Sequence, residues 1–176
     1  MFQLPSIPNT PLKEGLACTG VKCGSNGPVV SLFPASRIII DRLHANYYNF
    51  PDKILFCTAS SSEEPSYSRA CLNNLTISDG SQTINELFHA HAIGRTGQLS
   101  SRKTTHFAML KKEIFDCHGV EIDFRDVLFF DDCNWGDHVG DLKTTLGVTG
   151  IRTPHGLTVE LFEEGLELFN RMRGSE

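Results

Sequence analysis

The sequence contains none of the long apolar runs or basic patches that mark membrane or nucleic-acid-binding proteins. No apolar stretch approaches the roughly 20 residues that span a bilayer. The formal net charge is −5, so no basic stripe is available to neutralise nucleic-acid phosphates. Residues 1–15 lack both the basic start and the apolar core of a signal peptide. We therefore expect a cytoplasmic protein with neither a membrane nor a nucleic-acid partner.

The six cysteines also lack the paired spacing of a structural zinc site. Cys18 and Cys23 are the closest pair, and no second pair at a matching spacing accompanies them. His89 and His91 form the only other tight cluster of potential metal ligands that the spacing reveals. The sequence therefore does not predict structural zinc.

Strand and helix patterns alternate over most of the chain. Residues 1–28 hold four of the eight prolines and no sustained apolar period, which predicts an irregular N-terminal arm. Short apolar runs predict strands at residues 29–33, 54–57, 127–130 and 148–151. Helical spacing predicts helices at residues 35–45, 66–75, 104–117, 137–146 and 159–173. Residues 76–100 are harder to assign, with a helix over 84–93 as one interpretation. The alternation predicts an α/β core over residues 29–176 with a mainly parallel sheet.

Residues 127–137, VLFFDDCNWGD, join a strongly apolar run to the adjacent carboxylates Asp131 and Asp132. A run this apolar predicts a strand buried on both faces, and ligand crevices lie at the carboxyl ends of such strands. Carboxylates bind magnesium, so a metal or phosphate site is one interpretation. Helix capping by one of the acids is the other. Because side chains alternate along a strand, we expect the two acids to diverge.

Two further polar residues occupy comparable positions. Thr58 follows the apolar run at residues 54–57, and Lys103 precedes the helix that Thr104 or Thr105 can cap. A hydroxyl and an ammonium can hold phosphoryl oxygens. Taken singly, Thr58 could begin a turn and Lys103 could be a solvated residue at a helix start. The order of threonine, lysine and acidic pair makes the functional interpretation stronger.

This order resembles the haloacid dehalogenase (HAD) superfamily of phosphatases and phosphotransferases. Within this superfamily, the sequence is most similar to the magnesium-dependent phosphatase 1 family. The similar segments are LFP at 32–34, ILFCTASSSEEP at 54–65, SSRKTTHF at 100–107, VLFFDDCN at 127–134 and GLTVELFEEGLELF at 156–169.

The resemblance implies a HAD-like, Rossmann-like three-layer sandwich that hydrolyses phosphomonoesters, including those of the phosphotyrosine type, with magnesium. It assigns the phosphate-holding hydroxyl to Thr58, the phosphate-neutralising lysine to Lys103 and the metal-binding acids to Asp131 and Asp132. The implied partner is a small phosphorylated substrate or phosphate. The identity of the substrate and the oligomeric state stay open.

The sequence departs from the family at its nucleophile. The D-x-D-x-T motif of the first core strand does not occur in the sequence, and no aspartate precedes Asp41. We therefore assign no catalytic residue and expect the first core strand to be missing. Magnesium binding is expected to be weak, because the cage lacks the nucleophile's carboxylate. One interpretation is an active phosphatase whose true product is longer than this sequence. The second is a noncatalytic pseudophosphatase that binds a partner or phosphate, and the third is an unstable fragment.

The segment after the acids departs from the family as well. The family often continues with Glu and then an Arg-Asn pair, whereas here Cys133 and Trp135 make the loop less polar. Asp137 is expected to cap the following helix rather than to replace an active-site acid.

Overall fold

The computed structural model describes residues 10–24, 26–46 and 54–174. The chain divides into two compact units, Met1–Gly94 and Arg95–Glu176, and each is described by itself. Across those described ranges, no helix combines the length and apolar character that crossing a bilayer requires.

The first unit opens with a three-stranded antiparallel sheet in the order β1-β2-β3. Its strands are β1 Thr10–Glu14, β2 Ala17–Lys22 and β3 Val29–Ser31. Gly15, with a φ of 63°, provides the left-handed conformation that the tight turn between β1 and β2 needs.

The hairpin differs from the irregular arm predicted over residues 1–28, of which residues 1–9 and 25 lie outside the described residues. Proline is tolerated in β1 because β1 is an edge strand and Pro11 needs no N–H on its outer side. Val21 of β2 is fully buried, so burial against the rest of the unit stabilises these short strands. The domain boundary near residue 28 stays a prediction.

The rest of the first unit alternates helices with two parallel strands. These elements are α1 Pro34–Asn46, β4 Cys57–Ser60, α2 Pro65–Asn74, α3 Ile84–Leu87 and β5 Ala90–Ile93. Strands β4 and β5 pair in parallel, with Thr58 opposite His91. The strand predicted at 54–57 is thus displaced toward the C-terminus, and Thr58 lies inside it rather than after it.

The interpretation of residues 84–93 as a single helix is wrong. Helix α3 ends after one turn, and the chain turns into β5, where Ala90 and Ala92 are both fully buried. His89 leads into this strand, since its N–H donates to the carbonyl of Phe56 over 2.7 Å and its Nδ1 accepts from the N–H of Phe56 over 3.1 Å. A period-two burial pattern and cross-strand pairing therefore override the helical period after residue 87.

The second unit contains a parallel β-α-β unit with helices packed around it. Its elements are α4 Lys103–His118, β6 Leu128–Asp131, α5 His138–Leu146, β7 Thr149–Arg152 and α6 Val159–Arg173. Strands β6 and β7 pair in parallel, with Asp131 opposite Arg152. Each predicted element in this unit is confirmed to within one residue or so at its ends.

Helix α6 packs closely on the two strands at Gly165. A Cβ atom at this position would lie 2.9 Å from two ring carbons of Phe130 and 3.2 Å from Cγ1 of Ile151. The absence of a side chain therefore sets how near the helix can approach β6 and β7. Helix α5 also packs on the pair, since a Cβ atom at Gly150 of β7 would lie 2.9 Å from Cγ1 of Val139, and Leu142 of the same helix is fully buried.

The architecture is mixed α/β with parallel sheets and helices, compatible with a Rossmann-like fold. The three-layer arrangement and the missing first core strand stay predictions.

Candidate functional site

Asp131 is the last residue of β6, at the carboxyl end of the strand where the sequence predicted a ligand-binding acid. Its Oδ1 lies 3.8 Å from Nζ of Lys103, and its Oδ2 is hydrogen-bonded to Nδ1 of His138 over 2.9 Å. The Asp131 side chain is only 10% exposed. One carboxylate therefore joins the start of α4, the end of β6 and the start of α5.

Lys103 begins α4 and is almost completely buried. Burial lowers the pKa of Lys103, because desolvation outweighs the attraction of the carboxylates of Asp131 and Asp132. Its Nζ also lies 6.0 Å from the centroid of the Phe129 ring, within cation–π range. The interpretation of Lys103 as a solvated residue at a helix start is therefore wrong, because its ammonium is buried inside the unit.

Asp132 is exposed, in contrast to Asp131. The helix that follows is capped by neither of them, since Oδ1 of Asp137 accepts the N–H of Gly140 over 3.0 Å. The cap predicted at Asp137 is thus confirmed, and the capping interpretation of the acidic pair is wrong. Only one of the pair, Asp131, is brought into contact with Lys103 in the structure.

Thr58 lies in the middle of β4, in the first unit. Its Oγ1 is buried and has no hydrogen-bond partner within the described part of the chain. A buried hydroxyl without a partner costs free energy, so this atom is suited to a ligand oxygen. Because Lys103 and Asp131 belong to the second unit, the assembly of all three side chains into one crevice stays a prediction.

Sequence reasoning did not find two residues that surround Asp131. His138, the first residue of α5, contacts the carboxylate through Nδ1, and its Nε2 lies 3.9 Å from Sγ of Cys133. Cys133 is 4% exposed. The signal that could have revealed them is the spacing Asp-x-Cys-x-x-x-x-His across a strand, a loop and a helix start.

The donor set around Asp131 does not fit a magnesium ion well. Magnesium takes oxygen ligands in octahedral geometry. Here the carboxylate oxygens face an ammonium and an imidazole, and the next donor within reach is the thiol of Cys133. Asp132 is exposed and does not join this group. The group around Asp131 therefore offers one carboxylate, one imidazole and one thiol, of which only the carboxylate suits magnesium.

A family model described as Acid Phosphatase matches residues 8–172. The match thus covers nearly the whole chain, including Thr58, Lys103 and the acidic pair. No protein among the curated sequences matches the chain.

Proposed function

Because the chain belongs to the acid phosphatase family, a magnesium-dependent phosphatase 1 family of the HAD-like superfamily, we propose that it binds the phosphoryl group of small phosphomonoesters. The observation that carries this proposal is the buried ammonium of Lys103 at the first position of α4. The carboxylate of Asp131, 3.8 Å away, holds that ammonium in place. An exposed lysine would offer no such fixed position for the charge.

The electrostatics at this point favour an oxyanion. The first N–H groups of a 16-residue helix carry partial positive charge, and the ammonium of Lys103 adds a full charge beside them. An ammonium supplies three hydrogen-bond donors, so Lys103 can contact Asp131 and a phosphoryl oxygen at once. In a buried setting each of these contacts is stronger than in water.

Thr58 is the second phosphate-binding residue in the proposal. Its buried Oγ1 has no partner in the described residues, and a phosphoryl oxygen would accept its hydrogen. The family assignment supports this role. The proposed partner is accordingly a small phosphorylated molecule or phosphate, with aryl esters of the phosphotyrosine type as one class. A cytoplasmic location belongs to the same proposal.

We assign binding rather than turnover to these 176 residues. Phosphoryl transfer through an aspartyl intermediate needs an attacking carboxylate in line with the leaving group. The sequence has no D-x-D-x-T motif, and the family resemblance assigns Asp131 to metal binding rather than to nucleophilic attack. Neither Lys103 nor Thr58 can replace the nucleophile. No step of the reaction is therefore assigned to a residue of this chain or to magnesium.

Catalysis is the competing function, and the retention of Lys103 beside Asp131 favours it. It requires a nucleophile encoded outside the 176 residues. The intact mass of the native protein and an in-frame D-x-D-x-T in upstream coding sequence distinguish the two functions.

Phosphate titration by calorimetry tests the proposal. Lys103→Met should weaken phosphate binding by about 10- to 100-fold, as expected when a charge-assisted hydrogen bond of about 1.5–3 kcal/mol is lost. Lys112→Met is the matched control, because Lys112 lies on the same helix with its side chain 75% exposed. Equal phosphate affinities for both variants would refute the role of Lys103.

An aryl phosphate assay with magnesium tests the assignment of binding without turnover. We expect no hydrolysis above background by residues 1–176. Hydrolysis that Asp131→Asn abolishes would overturn the noncatalytic assignment.

A further inference from the structure

Asp131, Cys133 and His138 form a compact group of three potential metal ligands. One donor atom from each lies within 4.8 Å of the donor atoms of the other two. Sγ of Cys133 is 3.9 Å from Nε2 of His138, and Oδ2 of Asp131 is 2.9 Å from Nδ1 of the same ring. Only one of these two ring nitrogens can bind the ion, and the donors taken one from each residue still lie within 4.8 Å of one another. Ligands around a single small ion are separated by distances of this order. We infer that the group binds a divalent transition metal of the zinc class.

The chemistry of the donors selects the class of ion. A thiolate, an imidazole and a carboxylate are all ligands of Zn²⁺. Magnesium avoids sulfur and nitrogen, so Cys133 and His138 make the site unsuitable for it. Three protein ligands leave one position of a tetrahedral ion for water or a phosphoryl oxygen, which is the arrangement of open zinc sites.

The backbone around the group is held in place from both sides. The carbonyl of Cys133 accepts a hydrogen bond from Nη2 of Arg152 over 3.2 Å. Nδ2 of Asn134 donates to the carbonyl of Pro154 over 3.3 Å, and Asp137 caps the helix that His138 begins. Ligands fixed in this way lose little conformational entropy when an ion binds.

Position 136 leaves space beside two of the ligands. A Cβ atom on Gly136 would lie 3.7 Å from Nε2 of His138 and 3.8 Å from Sγ of Cys133. Because glycine has no side chain, nothing from this residue covers the two atoms.

The same three side chains could instead activate Cys133 as a nucleophile, with His138 as base and Asp131 as its orienting acid. Burial argues against this use, since Cys133 is only 4% exposed and reactive cysteines are partially exposed. A metal ion needs only a narrow path to the sulfur. Burial of the ligands limits the access of solvent to a bound ion.

Cobalt is the probe for the test, because a thiolate bound to Co²⁺ gives a charge-transfer band in the near ultraviolet. The full chain, reduced and freed of metal by a chelator, should bind one Co²⁺ with this band, and Zn²⁺ should displace it. Excess Mg²⁺ should not displace the bound Co²⁺. Displacement of the band by Mg²⁺ at similar concentration would overturn the inference.

Four variants assign the band to the site. Cys133→Ser should abolish it, and His138→Gln should weaken Co²⁺ binding by about 100-fold, the scale on which even supporting residues of metal sites act. Cys117→Ser and His118→Gln are matched controls, since both residues are exposed at the end of α4 and should leave the band unchanged. A band that persists in Cys133→Ser would place the metal elsewhere and refute the site.

X-ray absorption on the zinc-loaded wild-type chain needs no variant and therefore holds even if Cys133→Ser fails to fold. One sulfur neighbour with nitrogen or oxygen neighbours supports the site, while no sulfur or several sulfurs contradict it. The phosphate affinity of Lys103→Met is measured separately, so failure of the metal site is distinguishable from failure of the proposed function.

Discussion

Nζ of Lys103 lies 3.8 Å from Oδ1 of Asp131, and the two side chains are only 6% and 10% exposed. This pair joins the first residue of α4 to the last residue of β6. Removing one member of a buried ion pair leaves the other charge without compensation, which costs more than the intact pair contributes. The site and the stability of the second unit therefore depend on the same contact.

Asp131→Asn should destabilise the chain by about 3 kcal/mol, at the low end for a broken buried pair because Lys103 can release its proton. The pKa of Lys103 is already lowered by burial, so the folded state binds fewer protons there than the unfolded state. The loss of unfolding free energy caused by Asp131→Asn should accordingly become smaller as pH rises toward the ordinary lysine pKa of about 10.4. Urea unfolding at neutral pH and at about pH 10 measures both effects.

The double variant Lys103→Met with Asp131→Asn provides the control. It should be less destabilised than the sum of the two single variants, because no unpaired charge remains. Additive costs would show that the two side chains do not interact energetically.

Leu142→Ala should cost about 2–5 kcal/mol, since Leu142 of α5 is fully buried and its removal leaves a cavity beneath the β6–β7 pair. Leu166→Ala on α6 is the matched comparison. Leu166 is 39% exposed and should lose about 1 kcal/mol or less. Denaturant midpoints of the two variants measure this difference, and equal losses would contradict the packing described for α5.

Gly165→Ala should destabilise the second unit even though alanine is the better helix former. The added Cβ would lie 2.9 Å from two ring carbons of Phe130, and overpacking costs about 1–3 kcal/mol against a gain of about 1 kcal/mol in helix propensity. Thermal unfolding measures the balance.

Phe130→Leu provides the second arm of this experiment. In that background the steric cost of Gly165→Ala should fall, because the contacted ring is gone. A Gly165→Ala variant as stable as wild type would mean that α6 shifts away from β6 at no cost.

Tyr67 should ionise unusually late. Its hydrogen bond with Sγ of Cys23, 2.8 Å long, and its burial together raise the pKa of Tyr67 to about 12. Because the folded pKa exceeds the unfolded value of about 10, this contribution to stability is complete below about pH 10 and is lost as pH rises through about 12. Tyrosinate absorbance during an alkaline titration should show a late step that Tyr67→Phe removes. An unchanged titration curve in Tyr67→Phe would contradict the assignment.

The sequence predicted elements best where local signals agree. Helices α4 and α6 match their predicted bounds to within about a residue, because apolar spacing marks both and Thr158 caps α6. The cap predicted at Thr104 or Thr105 is wrong, since both residues lie inside α4 and its N-cap residue is Arg102. The end of β6 at Asp131 could be predicted as well, because the apolar run of the sequence stops there.

Other features depended on contacts that periodicity does not record. Strand β2 is stabilised by pairing on both sides and by burial of Val21. Neither contact is visible in the sequence, where the surrounding prolines and glycines do not indicate a strand. His138 was missed because its importance comes from the side chains of Asp131 and Cys133 across a loop. Spacing alone does not show that a loop folds back.

Within the unit Arg95–Glu176, the residues Asp131, Cys133 and His138 are close in sequence, whereas Lys103 lies a whole helix and a loop away from them. Contacts between residues close in sequence require little loop-closure entropy and form early in folding. The contacts among Asp131, Cys133 and His138 are therefore local, whereas the contact between Lys103 and Asp131 closes a longer loop. During refolding, the Asp131–His138 contact should form with the β6-α5-β7 segment, before the environment of Lys103 becomes native.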